Sequence, residues 1–192
     1  MTSGQVIDIF RATNALLEGH FVYASGRHGA HFLQASRVLQ YPNYTEMLCK
    51  GIADKWTKEN IELVVGPATG GILLAYETAR QLDCRAVFTE KDDNGRTMSL
   101  RRGFRLEPRT NILVVEDIVT TGGSVQKTID HLVERGARVA GVSVLIDRSG
   151  GEATFDCPYK PLAHLAMRSF DPAECPGCHD HIPVTDPDDL IL

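Results

Sequence analysis

The sequence predicts an α/β fold: an open parallel sheet with helices on both faces, preceded by a small N-terminal hood and followed by an irregular C-terminal tail. Three observations carry this reading. The apolar runs at 63–65, 111–115 and 139–146 are continuous rather than alternating, as in strands buried on both faces. Stretches of helical periodicity separate them, which is the order of right-handed βαβ units. Two of the runs are followed by glycine-rich turns, Gly66-Pro-Ala-Thr-Gly-Gly71 and Thr120-Thr-Gly-Gly-Ser124, where the next helix begins.

In chain order, Val6, Ile9, Phe10, Thr13, Leu16 and Leu17 recur near helical spacing and predict a peripheral amphipathic helix over 5–17, stopped at Gly19. Residues 21–33 alternate loosely around Ser25-Gly-Arg-His-Gly29 and read as two short strands joined by a turn. Pro42 suits a helix start, and a helical pattern runs over 44–58 with Trp56 as a core position. The strand at 63–65 leads to a helix over 72–82, and 85–89 is another short strand. The strand 111–115 ends abruptly in Glu116-Asp117, and a helix over 124–135 leads to the strand 139–146. Beyond Gly150, prolines at 158, 161, 172, 176, 183 and 187 leave one strand near 162–167 in a tail packed on the domain. A length of 192 residues fits one domain, with the hood over 1–40, the core over 41–150 and the tail over 151–192.

Composition narrows the function. With 43% apolar and 23% charged residues the chain has material for a core and is not of the disordered class. A net charge of −5 excludes a global basic surface of the kind that binds nucleic acid without sequence preference, so an anionic ligand has to meet a local positive site. Asp8 and Arg11 interrupt the first apolar stretch and no run approaches 18 apolar residues, so neither a secretory signal nor a membrane span is expected. Five cysteines do not suggest a disulfide framework in a chain of this size, and a reducing, cytoplasmic setting is expected.

In open α/β sheets ligands sit beyond the carboxyl ends of the strands. There, Glu116 and Asp117 offer acceptors for two neighbouring hydroxyls, or oxygen ligands for a hydrated Mg²⁺. Thr120, Thr121, Gly122, Gly123 and Ser124 then place hydroxyls and unhindered N–H groups at a helix start, an anion cradle suited to a phosphate monoester. Acceptors at one end and a cradle a few residues on match a ribose 5-phosphate.

The string Val114-Val-Glu-Asp-Ile-Val-Thr-Thr-Gly-Gly-Ser124 resembles the phosphoribosyl-diphosphate motif of the type I phosphoribosyltransferases. The resemblance is closest to the orotate-specific members. Supporting segments are Leu17-Glu-Gly-His-Phe21, Ser25-Gly-Arg-His28, Gly66-Pro-Ala-Thr-Gly-Gly71, Leu100-Arg-Arg-Gly-Phe104 and Asp147-Arg148, with a weaker echo in Cys175-Pro-Gly-Cys178. It implies a type I phosphoribosyltransferase-like fold and a glycosyltransferase reaction that joins orotate to phosphoribosyl diphosphate and releases pyrophosphate, with Mg²⁺ held mainly through the diphosphate and water. Glu116 and Asp117 would hold the ribose hydroxyls; Ile118, Val119 and residues 120–124 would line the 5-phosphate site; Thr120 and Arg148 would face orotate. A homodimer is implied, its lid loop reaching the neighbouring subunit's site. A purine phosphoribosyltransferase is the near alternative, and a non-catalytic regulator that senses phosphoribosyl diphosphate the distant one. A purine offers no carboxylate to Arg148, and no helix-turn-helix extension precedes the hood.

Residues 91–109 hold six basic side chains against three acidic ones around the turn signal Asp92-Asp93-Asn94-Gly95, and read as a mobile hairpin or loop. Lys91, Arg101 and Arg102 are the expected pyrophosphate contacts, Lys91 with a catalytic role. Better-known members carry further lysines where this chain has Ala24 and Gly70. Phe32 and Leu33 read as hood core, with an apolar lid over a planar pyrimidine as the alternative; His20, His28 and His31 read as turn or hood residues. Cys175-Pro-Gly-Cys178-His179 supplies half of a zinc site, with only His181, Cys157 or His164 in view to complete it, and haem attachment does not suit a cytoplasmic chain. No metal is expected there.

Overall fold

The computed structural model describes residues 1–23, 25–92 and 94–187. Thr2 caps α1 (Ser3–Ala12) in a capping box with Gln5. β1 (Leu16–Val22) and β2 (His28–Leu33) form an antiparallel hairpin, followed by the single turn α2 (Ser36–Leu39) and by α3 (Pro42–Asp54), with Pro42 in its first turn. Then come β3 (Leu63–Pro67), α4 (Gly70–Leu82), β4 (Arg85–Lys91), β5 (Met98–Leu100), β6 (Asn111–Val119), α5 (Gly123–Glu134), β7 (Arg138–Asp147) and β8 (Ala163–His164). These strands make one sheet in the order β5-β4-β3-β6-β7-β8, parallel throughout except for the β4–β5 hairpin.

The core lies on both faces of that sheet, which is why its central strands are apolar without alternation. On one face α1, α3 and α4 pack Phe10, Leu48, Ile52 and Leu74 against Val64, Leu113 and Leu145. On the other, α5 packs Val125, Ile129 and Leu132 against Leu63, Val65, Ile112 and Val142. Trp56 is buried as expected; its Nε1 donates to Ser143 Oγ at 2.9 Å, and Gly141 leaves the room its ring fills.

Three expectations are corrected. The first helix ends at Ala12, not at residue 17: Asn14 takes a φ of 51°, and Leu16 and Leu17 pair with Leu33 and Phe32 in the hood hairpin. Apolar residues at 16 and 17 fit helical spacing, but strand pairing claims them. That helix is not peripheral either, since Val6 and Phe10 are fully buried in the core. Finally, β6 does not stop before the acidic pair. Its ladder with β7 continues through Glu116 and Ile118 to Val119, so both carboxylates stand on a strand held from its side.

Candidate active site

The loops beyond β3, β6 and β7 line a cavity of about 1100 Å³, with Thr69 and Gly70 after β3, Asp117, Ile118, Thr120 and Thr121 from β6 and its loop, and Arg148 and Ser149 after β7. The hood adds Tyr23, Arg27, Phe32 and Leu33, and the tail adds Met167 and Ser169. A smaller hollow of about 170 Å³, lined by Glu116 and residues 118–125, shares Ile118, Thr120 and Thr121 with it. The site therefore has two compartments that meet at the β6–α5 loop.

Alternation along β6 sends the two carboxylates different ways, Asp117 to the large chamber and Glu116 to the small hollow. Asp117 Oδ1 accepts from Ile118 N at 2.6 Å, and Glu116 Oε1 accepts from Asp117 N at 3.1 Å. Burial pushes the Glu116 carboxyl well above the ordinary range, and the neighbouring Asp117 charge adds to this while Lys91 opposes it. Burial also raises Asp117, against the backbone N–H of Ile118. Burial thus disfavours the charged form of both carboxyls, and a positive centre in a ligand would favour it. The β3–α4 turn presses against it: a Cβ on Gly70 would run into the Asp117 carboxylate, and one on Gly66 into the Gly71 carbonyl. Within this turn the Ala68–Thr69 peptide is cis, and Ala68 N donates to Thr89 O at 2.7 Å.

The small hollow opens beside the start of α5. Gly122, at a φ of 77°, precedes α5, and no side chain caps that helix, so its first N–H groups and the positive end of its dipole stay available. Thr120, Thr121, Gly123 and Ser124 are exposed around it.

At the other end of the chamber Arg148 follows β7 directly, and its N–H donates to Val119 O at 2.9 Å. Its guanidinium stacks 4.6 Å from the centre of the Tyr23 ring. Its Nε is buried with no hydrogen-bond partner among the described residues, and a buried donor of this kind calls for an acceptor. Tyr23 is positioned by donating its hydroxyl to His31 O at 2.7 Å, in space that Gly29 leaves open. Arg27 reaches across to the tail and donates to Ser169 Oγ at 2.9 Å and Ser169 O at 2.7 Å. Leu33 is buried in the core as expected and also touches the cavity, and Phe32, half-buried, stands on its wall.

The structure brings together Glu116, Asp117, residues 118–124 and Arg148. It does not bring Lys91, Arg101 or Arg102 onto the wall of either compartment. Lys91 is exposed with its charge in reach of Glu116, while Arg102 is held in a two-pronged ion pair with Glu90 at 2.8 and 2.9 Å. Nor is the hairpin a free loop: Met98 is buried, Leu100 N donates to His131 Nε2 at 3.1 Å, and Lys127 Nζ donates to Gly95 O at 3.1 Å. Ala24 and Asp93 lie outside the described residues. Sequence reading missed Tyr23, Met167 and Ser169 as wall residues, while Thr69 lies in the turn string Gly66–Gly71 and Arg27 in Ser25-Gly-Arg-His28, both of which it singled out.

Residues 40–161 match the phosphoribosyl transferase domain. Over 187 residues the chain is 46% identical to the orotate phosphoribosyltransferase of Caldicellulosiruptor bescii, with 97% of each chain covered. The chain belongs to the orotate phosphoribosyltransferase family. Another member, from Heliobacterium modesticaldum, is 45% identical over 189 residues, covering 97% of this chain and 98% of that one. Among solved structures, the orotate phosphoribosyltransferase of Aeropyrum pernix superposes with a TM-score of 0.70 at 24% identity, over 83% of this chain and 93% of that one. The adenine phosphoribosyltransferase of Rhodothermus marinus reaches 0.64 at 19% identity, over 84% and 99%. The fold is thus shared with enzymes named for a different base, and the family membership of this orotate phosphoribosyltransferase homologue rests on sequence.

Proposed function

We propose that the chain transfers the 5-phosphoribosyl group of phosphoribosyl diphosphate to orotate, giving orotidine 5′-monophosphate and pyrophosphate in pyrimidine (UMP) biosynthesis. The observation that carries the choice of base is Arg148, which lines the chamber that Asp117 also lines and whose Nε is buried with no hydrogen-bond partner among the described residues. A guanidinium matches the carboxylate of orotate, and a purine has none to offer. Residues 120–124 hold the 5-phosphate, and Glu116 and Asp117 accept from the ribose hydroxyls. Thr120 and Arg148 orient the base beneath Phe32 and Leu33. As the bond from C1′ to the diphosphate oxygen breaks, its electron pair leaves with pyrophosphate and positive charge grows on the ribose. Asp117 faces that charge from a half-buried position, where it is worth more than in open water.

Mg²⁺ fits this site as a companion of the substrate. On β6 the Glu116–Asp117 pair offers two carboxylates, too few for an all-protein cage, so diphosphate and water would complete its shell. When bound, it offsets the charge of the departing pyrophosphate. Among the described residues no helix is long and apolar enough to cross a membrane, and Cys49, Cys84, Cys157, Cys175 and Cys178 are all free thiols, which accords with a cytoplasmic enzyme.

Incubating the protein with orotate, phosphoribosyl diphosphate and Mg²⁺, and following orotate absorbance, tests the reading. Turnover requires all three components; equal turnover with adenine, hypoxanthine or guanine would overturn it. Lys91, Arg101 and Arg102, standing off their own chamber, suit a homodimer in which the hairpin serves the neighbouring site. Lys91→Ala and Asp117→Asn proteins, each inactive alone, would then regenerate activity on mixing, since up to about half of freely exchanged dimers carry one intact site. No recovery despite exchange would place Lys91 in its own subunit's site.

A further inference from the structure

Four metal-ligating side chains converge where the tail crosses the hood hairpin: His20 of β1, His28 of β2, and Cys175 and Cys178 at the single helical turn α6 (Pro176–His179). None of them lines either compartment of the active site. We propose that these four residues bind one zinc ion, which staples the tail to the hood.

The donor atoms all lie within 4.8 Å of one another. His20 Nε2 is 2.9 Å from His28 Nδ1, 3.5 Å from Cys175 Sγ and 3.6 Å from Cys178 Sγ, and Cys178 Sγ is 3.3 Å from His28 Nδ1. Hydrogen bonding alone does not explain this crowd. His20 Nδ1 lies 2.7 Å from the carbonyl oxygen of Ile182, which can only accept, so the ring proton sits on Nδ1 and Nε2 has one lone pair. Three groups compete for that lone pair, and it can accept from one. A cation at the centre instead takes a lone pair from every group. With zinc–sulfur bonds of about 2.3 Å and zinc–nitrogen bonds of about 2.0–2.1 Å, a tetrahedron sets its ligand atoms roughly 3.4–3.8 Å apart, within about half an ångström of these four spacings; the widest pair in the set, at up to 4.8 Å, has to draw in by about one ångström.

The surroundings fit the same chemistry. The Nδ1–H of His20 donating to a backbone carbonyl is how a zinc-bound imidazole is fixed in tautomer and orientation. Two thiolates with two imidazoles select zinc over the hard cations that carboxylates prefer. His20 and Cys175 are buried, and a Cβ on Gly177 would come to 2.9 Å from His20 Cγ, so glycine lets the Cys-Pro-Gly-Cys turn close on the ring. Four protein ligands leave no open position, which marks a structural ion. Its place gives it work to do. The tail that it would fix meets the hood through Thr185 N to His20 O at 2.7 Å and the paired bonds between His28 and Phe170, beside the Arg27–Ser169 contact at the chamber.

The test uses the full-length, tag-free protein. As purified without chelator it should hold about one zinc per chain by elemental analysis. After exchange, Co²⁺ should give the intense visible bands of a tetrahedral site with a thiolate-to-metal charge-transfer band, bleached by an equivalent of Zn²⁺. Chelation should lower the melting temperature by several degrees. Cys178→Ser should weaken the charge-transfer band and lose the metal on gel filtration, and His28→Asn, which spares both thiols, should bind Co²⁺ at least tenfold more weakly. Should either variant fail to fold, the wild-type cobalt spectrum decides. Absence of a thiolate band in the wild type would overturn the proposal. So would an undiminished band in Cys178→Ser, or a Cys175–Cys178 disulfide in protein kept under reductant.

Discussion

The two ends of the active site are built in opposite ways. The end proposed for the phosphate is one contiguous stretch, residues 116–124, that runs from the last residues of a central strand into the start of a helix. The base end is assembled from the hood, the β3–α4 turn, the residue after β7 and the tail, which chain distance keeps apart and packing brings together. The first owes its geometry to strand and helix hydrogen bonds that the local sequence dictates. The second depends on tertiary contacts such as Tyr23 under Arg148 and Arg27 on Ser169. Damage to the first should therefore appear as lost chemistry, and damage to the second as lost recognition of the base.

The largest effect is expected at Asp117. Asp117→Asn keeps the shape and removes the charge that faces the ribose, so turnover should fall about 10²-fold or more while affinity for phosphoribosyl diphosphate changes less. An unchanged turnover number would make Asp117 a turn residue only. Arg148→Ala acts at the other end, and its loss of a charge-assisted hydrogen bond, worth about 1.5–3 kcal/mol, should raise KM for orotate roughly ten- to a hundredfold. KM for phosphoribosyl diphosphate should stay near wild type. If both constants rose together, the division between the two ends would not hold.

This difference in construction also explains how much was legible in the sequence. The sheet and its parallel order follow from continuous apolar runs, and the acidic pair and cradle follow from one string, because everything they need lies within a few residues of itself. The hood was read less well: Leu16 and Leu17 fit a helix as well as a strand until Phe32 and Leu33 pair with them. Half of the proposed metal site was visible in Cys175 and Cys178. The other half was not, because His20 and His28 share no motif and meet only through the hairpin, beside a register shift between Glu18 and Phe21. The basic hairpin misled in a different way. Its charge suggested a free lid, whereas Met98 and the bond to His131 tie it to α5.

A smaller effect is expected in the cradle itself. Thr121→Val removes one hydroxyl from an exposed loop whose backbone N–H groups remain, at a cost of about 1 kcal/mol and roughly a fivefold rise in KM for phosphoribosyl diphosphate. The contact is made in ground and transition states alike, so kcat should hardly move. A fall in kcat without a change in KM would show the loop taking part in the chemical step.

The smallest effect, and the one with an unusual sign, concerns stability. Glu116 is buried at 9% exposure with its carboxyl raised, by burial first and by the Asp117 charge second. An acid whose pKa is higher in the folded chain binds its proton more tightly there. Below the ordinary carboxylate range both states are protonated, and the folded chain has its full stability. As pH climbs from that range through the raised folded value, the unfolded chain releases its proton first and stability drains away. At pH 8 the wild type has therefore lost stability that Glu116→Gln, of the same shape and without a titrating proton, keeps. The variant should melt at a higher temperature than wild type at pH 8, with the gap closing towards pH 4, even though it loses an acceptor for the ribose. A variant that melts below wild type at pH 8, or a gap that widens as pH falls, would mean that the folded chain satisfies the Glu116 charge, and the small hollow would then be no place of strained negative charge awaiting its substrate.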